Sequence, residues 1–325
     1  MHLWKHRAQP GQDGKGIPLE DRTKGALYGI LAYGLWGVFP LYFKVVAEVP
    51  ALEILAHRIL WSFLVLLVLV AATRRGDAIR AIFRDRRTSL LLCGSTVLIA
   101  TNWLIFVIAV ATNRVLESSL GYFMNPLVNI LLGRLFLSER LRGMQRVSLL
   151  LAVAGVALLV ALHGTVPWIS LALAVTFAFY ALLRKLAPVE SLAGLTYETG
   201  LLVPAAFLYI AWGTVSGNGA FLTGSNRFDH LLPLAGVITA FPLLAFGAAA
   251  RRVRLSTLGF LQYISPTGHF LLAVFAFGEP FGSGELAAFL LIWAGLAVYS
   301  VDALRLYTVT KPGIHPATTR KRRGV

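Results

Sequence analysis

Apolar residues in this chain run in long unbroken stretches, divided by short polar clusters. Leu90 to Ala111 contains no charge and a single amide, Asn102. That stretch is long enough for an α-helix to cross a hydrocarbon core, which takes about 20 residues. Val147 to Leu162 is likewise uncharged. Reading apolar windows against polar breaks predicts ten transmembrane helices, over 25–46, 54–72, 89–111, 116–137, 145–163, 167–184, 195–213, 231–250, 255–277 and 285–304. The links are short, so consecutive helices should run antiparallel, and none holds a soluble domain. Residues 1–23 form a polar, Gly-rich tail with no apolar signal-peptide core, so the first window is expected to act as an uncleaved signal. Residues 306–325 form a basic tail.

Composition agrees with a lipid-embedded, all-α chain. It is 57% hydrophobic and 14% charged, where soluble proteins carry about a quarter charged residues. The single cysteine, Cys93, excludes a disulfide framework and a cysteine-based metal centre. A net charge of +15 would suit a nucleic-acid partner, but the basic residues sit in the links, where they orient a membrane protein instead. With the N-terminus inside, twenty-five Lys and Arg fall on inside segments and only Arg114 and Arg227 on outside loops. This predicts a multi-pass protein of the cytoplasmic membrane with both termini cytoplasmic and an even number of crossings.

The two halves repeat one another. Ser118-Ser119-Leu120-Gly121-Tyr122 matches Ser256-Thr257-Leu258-Gly259-Phe260 at an offset of 138, preceded by Arg114 and Arg252 at the same offset. Pro126 with Glu139 matches Pro266 with Glu279, and Gly155 matches Gly295, at 140, so the second copy has two added residues between Gly259 and Pro266. The offset pairs the fourth window with the ninth and the fifth with the tenth. Each copy (24–163 and 164–305) then holds five helices, an odd number, and the second enters the membrane inverted. The links agree: the one after the fourth window is basic, and the one after the ninth holds Glu279 and no base. Two similar halves in opposite orientations can exchange conformations and turn an outward-open cavity into an inward-open one.

Several runs carry a family resemblance. They are Tyr33 to Lys44, Glu53 to Ser62, Asn102-Trp103, Leu116 to Asn129, Phe177 to Lys185 and Leu255 to Pro266. Over about residues 24–305 the chain resembles the drug/metabolite transporter superfamily and, within it, the RarD-type EamA proteins, named for chloramphenicol sensitivity. The resemblance implies a ten-helix bundle of two five-helix repeats, carrying small organic molecules across the cytoplasmic membrane. It brings no defined substrate.

Polar residues inside the windows are the candidate site, since ionisable groups in the membrane are by default functional. Glu117, Gly121, Asn125 and Asn129 recur every four residues on one face of the fourth helix, either lining a solute cavity or joining helices. Gly259, Gln262, Pro266 and His269 form the counterpart in the ninth, and Pro126 and Pro266 are expected to kink their helices and free a carbonyl. Glu53 and His57 are four apart and can meet, with Arg58 adjacent; they read as an outer ion pair, or as a gate or anion-recognising group. Glu198 reads as a proton-coupling carboxyl or as one that snorkels to the inner surface. Trp36, Tyr42, Trp103, Tyr122 and Tyr263 could line a cavity for a planar or cationic molecule, with Asn102 beside them.

The expected function is a secondary transporter of a small organic solute, with no cofactor or metal and with room for a homodimer. A membrane-embedded enzyme is the alternative, but no HExxH, Asp-rich pair, Walker loop or GxGxxG opening a helix after a strand is present. A non-transporting scaffold would carry no flux at all.

Overall fold

The structure is a computed structural model that describes residues 19–111, 115–163, 168–222, 226–276, 278 and 282–310. All regular elements among them are helical: α1 (Leu19–Gly37), α2 (Phe39–Val45), α3 (Ala51–Ala72), α4 (Gly76–Arg84), α5 (Arg86–Ala111), α6 (Val115–Phe136), α7 (Gly143–His163), α8 (Trp168–Leu186), α9 (Ser191–Ser216), α10 (Asn226–Arg252), α11 (Leu255–Gln262), α12 (Ile264–Leu271) and α13 (Ser283–Thr310). A π-helical turn, Leu272–Ala276, extends α12. Among the described residues nine helices, some of them broken pairs, are long and apolar enough to cross a membrane. The chain is an all-α, multi-pass membrane protein. Its outer faces carry large apolar groups such as Trp212 (73% exposed) and Val68 (68% exposed), which lipid accepts and water would not.

Proline chemistry explains two departures from uninterrupted windows. The first window splits at Val38 into α1 and α2, with Pro40 in the opening turn of α2, where it has no N–H to give the turn before. The ninth splits at Tyr263 into α11 and α12, since Pro266 cannot donate to the Gln262 carbonyl four residues back. That break lies between Gly259 and Pro266, the interval two residues longer than its counterpart in the first copy. Pro126, by contrast, sits inside an unbroken α6. The short amphipathic α4 lies outside every apolar window; it buries Ile82 against Leu92, Ala187, Ala193 and Tyr197. Arg114, the side chain of Glu117, and Glu279 lie outside the described residues.

The helices pack in long pairs: α13 along α7, α6 along α8, α1 along α10, α3 along α9 and α10, and α5 along α8; α11 lies on α6 and α12 on α1. The basic links gather at one end of the bundle. There Arg75 pairs with Glu190 (2.6 Å) and Arg142 with Asp302 (2.5 Å). Lys185 donates to the Ala250 and Val253 carbonyls at the close of α10, and Arg254 to the Arg140 carbonyl.

The α7–α13 pair depends on glycine at matched places. A Cβ on Gly155 would stand 2.8 Å from the Ala288 carbonyl and 2.7 Å from Ile292 Cγ1; one on Gly295 would stand 2.8 Å from the Ser148 carbonyl. Overfilling a tight contact costs about 1–3 kcal/mol. Gly155→Leu and Gly295→Leu should each lower the thermal transition of the detergent-purified protein, whereas leucine at the open position Gly34 should leave it unchanged; equal transitions for all three would show that the α7–α13 contact is loose.

Candidate functional site

Two turns into α3, Arg58 is surrounded by side chains from four other helices. Its Nε donates to Thr239 Oγ1 of α10 (3.0 Å). The guanidinium carbon lies 5.2 Å from the Trp103 ring centroid on α5 and 5.6 Å from the Phe43 ring on α2. Tyr42 of α2 and Tyr122 of α6 are close enough to act on it electrostatically. Yet Arg58 is only half-buried. Arg58 thus keeps some accessible surface although side chains of four other helices surround it.

The aromatic candidates lie around the same group. Trp36, Trp103, Tyr122 and Phe177 are each half-buried. Trp36 packs edge-on to Phe177 (5.9 Å) and tilted against Phe246 (5.7 Å). Tyr122 meets the His269 ring at 6.0 Å, and His269 Nε2 is 2.9 Å from the Trp36 carbonyl, tying α12 to the end of α1. Tyr42 donates to the Leu231 carbonyl (3.1 Å), joining α2 to α10.

On the same helix just before Arg58, Glu53 and His57 are buried and differently employed. The Glu53 carboxylate accepts from the Ala220 and Phe221 amides (2.7 and 3.2 Å), binding the segment after α9 to the start of α3. His57 Nδ1 accepts from Trp61 Nε1 (3.0 Å) and its ring rests 4.7 Å from Phe221. That leaves Nε2 as the protonated nitrogen, 4.0 Å from Glu53, too long for a hydrogen bond. The expected pair is therefore a clasp on a loop, with Arg58 turned inward from it.

Toward the basic end, Glu198 of α9 faces Arg184 of α8 at 3.5 Å, both almost wholly buried (1% and 2% exposed). Ser95 of α5 donates to the same carboxylate, and Tyr180 is in reach. Arg184 Nη2 reaches the Ser191 carbonyl (3.3 Å). Among the described residues Glu198 Oε2 and Arg184 Nε and Nη1 have no hydrogen-bond partner. Arg184 reads from sequence as a solvated link charge; the structure buries it because Glu198 supplies a counter-charge and Gly247 leaves room, a Cβ there meeting Nη2 at 2.9 Å. The polar neighbours Ser95, Thr239 and Tyr180 carry no pattern in the sequence that singles them out.

The remaining candidates join helices. Asn129 Nδ2 donates to Asn125 Oδ1 (3.2 Å) and across to Gln262 Oε1 (3.0 Å), fastening α6 to α11. Gly121 admits the Ser170 carbonyl of α8, 3.0 Å from its would-be Cβ. Asn102 donates to the Leu173 carbonyl and to Thr176 (both 2.9 Å), fastening α5 to α8. Tyr263 is buried against the α7–α13 cluster. Among the described residues no cluster of His, Cys, Asp and Glu could hold a metal ion.

Residues 23–161 match the model of the EamA-like transporter family. A protein of Vibrio cholerae named an uncharacterized transporter is 44% identical over 286 residues, which cover 88% of this chain and 95% of that one. Protein RarD of Escherichia coli K12 is 44% identical over 283 residues, covering 86% and 95%. A protein of Pseudomonas aeruginosa named chloramphenicol-sensitive protein RarD is 31% identical, covering 87% and 95%. A solved crystal structure superposes with a TM-score of 0.66 at 21% identity, over 87% of this chain and 99% of that one, a likeness of fold.

Removing one partner of a buried ion pair strands the other charge, at about 3–5 kcal/mol. Glu198→Ala should sharply reduce the yield and thermal stability of folded protein, and adding Arg184→Leu should recover part of the loss; stability unchanged by Glu198→Ala would mean that the pair is solvated.

Proposed function

The chain belongs to the EamA-like transporter family, in its RarD-type branch, and from that membership we propose that it is a secondary carrier. It moves a small organic solute across the cytoplasmic membrane by alternating access, with both termini cytoplasmic. The observation that supports this best is a correspondence in helix pairing. Exchanging the halves 24–163 and 164–305 turns the α1–α10 pair into α8–α5, and α6–α8 into α11 and α12 on α1; α3–α9 and α7–α13 map onto themselves. With α6 as a tenth crossing, this supports two inverted five-helix repeats packed about the Arg58 cavity. Such halves can trade shapes, opening the cavity to one side and then the other.

The proposed roles follow from position. Trp36, Trp103 and Tyr122 form the walls against which the solute rests. Glu53 and His57 hold the outer end through the segment at Ala220 and Phe221, and the Arg184–Glu198 pair holds the inner end. Protonation of Glu198 would neutralise its charge and release Arg184, so that proton movement and inner opening are linked. Pro266, at the break between α11 and α12, supplies a hinge, and Asn125, Asn129 and Gln262 keep α6 and α11 together as they move. The relatives' names indicate transport rather than catalysis, and no enzymatic role is proposed.

Vesicles holding the purified protein should accumulate some labelled organic solutes faster than empty vesicles, with a rate that responds to an imposed pH gradient. Trp103→Ala should cut that rate about tenfold, the equivalent of ~1.4 kcal/mol of lost contact, with membrane insertion intact. Flux indifferent to the gradient would remove proton coupling; flux no faster than in empty vesicles for every solute would remove carriage.

A further inference from the structure

We propose that the solute is an organic monoanion, a carboxylate borne on a planar or aromatic body, and that Arg58 is the group that takes its charge. The proposal rests on the carrier reading above and names the class of molecule carried. A guanidinium withdrawn from water inside a bundle is costly unless an opposite charge or well-placed hydrogen bonds compensate it. The buried charges have such partners: Arg184 has Glu198, Glu139 has the Leu255 and Ser256 amides with Arg254 at 3.8 Å, and Glu53 has the Ala220 and Phe221 amides. Among the described residues Arg58 has no carboxylate; its neighbours are a threonine hydroxyl, two tyrosines and two aromatic rings.

The free edge of Arg58 has the right shape for this ligand. Thr239 occupies Nε. Phe43 and Trp103 lie close enough for cation–π contact. The two terminal nitrogens have no hydrogen-bond partner among the described residues, and the side chain is only half-buried. Two such N–H groups form the planar fork that binds both oxygens of a carboxylate. Beside it, Trp36 and Tyr122 supply flat apolar surface for the body of the molecule. An ammonium ligand is disfavoured, since the cation these rings would attract is already present as Arg58 and would repel a second. One guanidinium balances one negative charge, which points to a monoanion rather than a phosphate dianion.

The test is a charge series on one ring. Benzoate, benzamide and benzylamine, together with phenylacetate and indole-3-acetate, are titrated against the full-length protein in nanodiscs of neutral lipid, with thermal unfolding and tryptophan fluorescence as readouts. At least one carboxylate should raise the transition and change the fluorescence, and the amide and amine should not. Because, among the described residues, Arg58 leaves no carboxylate behind when removed, Arg58→Gln should fold and bind that carboxylate about tenfold or more weakly, a loss of ~1.4 kcal/mol, while Arg58→Lys should keep part of the affinity. Benzamide or benzylamine binding as tightly as the carboxylates, no response to any carboxylate, or Arg58→Gln binding like wild type would each overturn the proposal. The wild-type charge series decides the matter even if the variants do not fold. In vesicles, neutral or cationic solutes carried by wild type and blocked by Trp103→Ala would overturn the anion assignment while leaving carriage intact; no flux of any solute would overturn carriage itself.

Discussion

Inside a bilayer a polar group has no water to turn to, so each one must be satisfied by the protein or face a cavity that water and solute can reach. The arrangement of this bundle follows from that demand. Asn129 Nδ2 donates to Asn125 and to Gln262, fastening α6 to α11, while among the described residues its own Oδ1 has no partner. Asn102 spends its amide on the backbone and side chain of α8. Glu53 is neutralised in effect by two amides of a loop, and Glu139 by the first amides of α11 together with Ser256 Oγ. Arg58 stands apart because, among the described residues, its terminal nitrogens have no hydrogen-bond partner.

That division separates two kinds of intramembrane polarity. Groups that close on each other hold helices in register, and their removal is felt as stability. A group that opens onto a cavity is available to a ligand, and its removal is felt as recognition. The Arg184–Glu198 pair lies between them: it is buried and close, yet among the described residues atoms of both partners lack hydrogen bonds. Such a pair is less firmly held than a complete network, and that is a property suited to a contact that must part and reform.

Much of this was legible in the chain. Apolar windows located the membrane helices, and the excess of arginine and lysine in alternate links anticipated that those links gather at one end; Gly155 and Gly295 were legible only as matched positions of the repeat, not as the close α7–α13 contact they make. Proline content indicated where α12 begins. Other features depend on distance across the fold, which hydropathy does not encode. Arg184 looks like a link residue until Glu198, fourteen positions on, is seen against it. The asparagine stripe of α6 reads equally as a cavity wall or as a seam, and only the position of Gln262 puts its amides in a seam. Arg58 was visible as a charge, but its inward direction needed Phe43, Trp103 and Thr239 from three other helices.

Carriage by this bundle requires a cavity around Arg58 that is reached from each side of the membrane in turn. A chain with a single native cysteine allows a direct measurement: with Cys93→Ser as background, Tyr122→Cys places a thiol on the cavity wall, and oriented vesicles are treated with a membrane-impermeant thiol reagent from either face. Alternating access predicts modification from both faces, slowed from either when a bound solute fills the cavity. A thiol that reacts from one face only, under every condition of solute and pH, would contradict it.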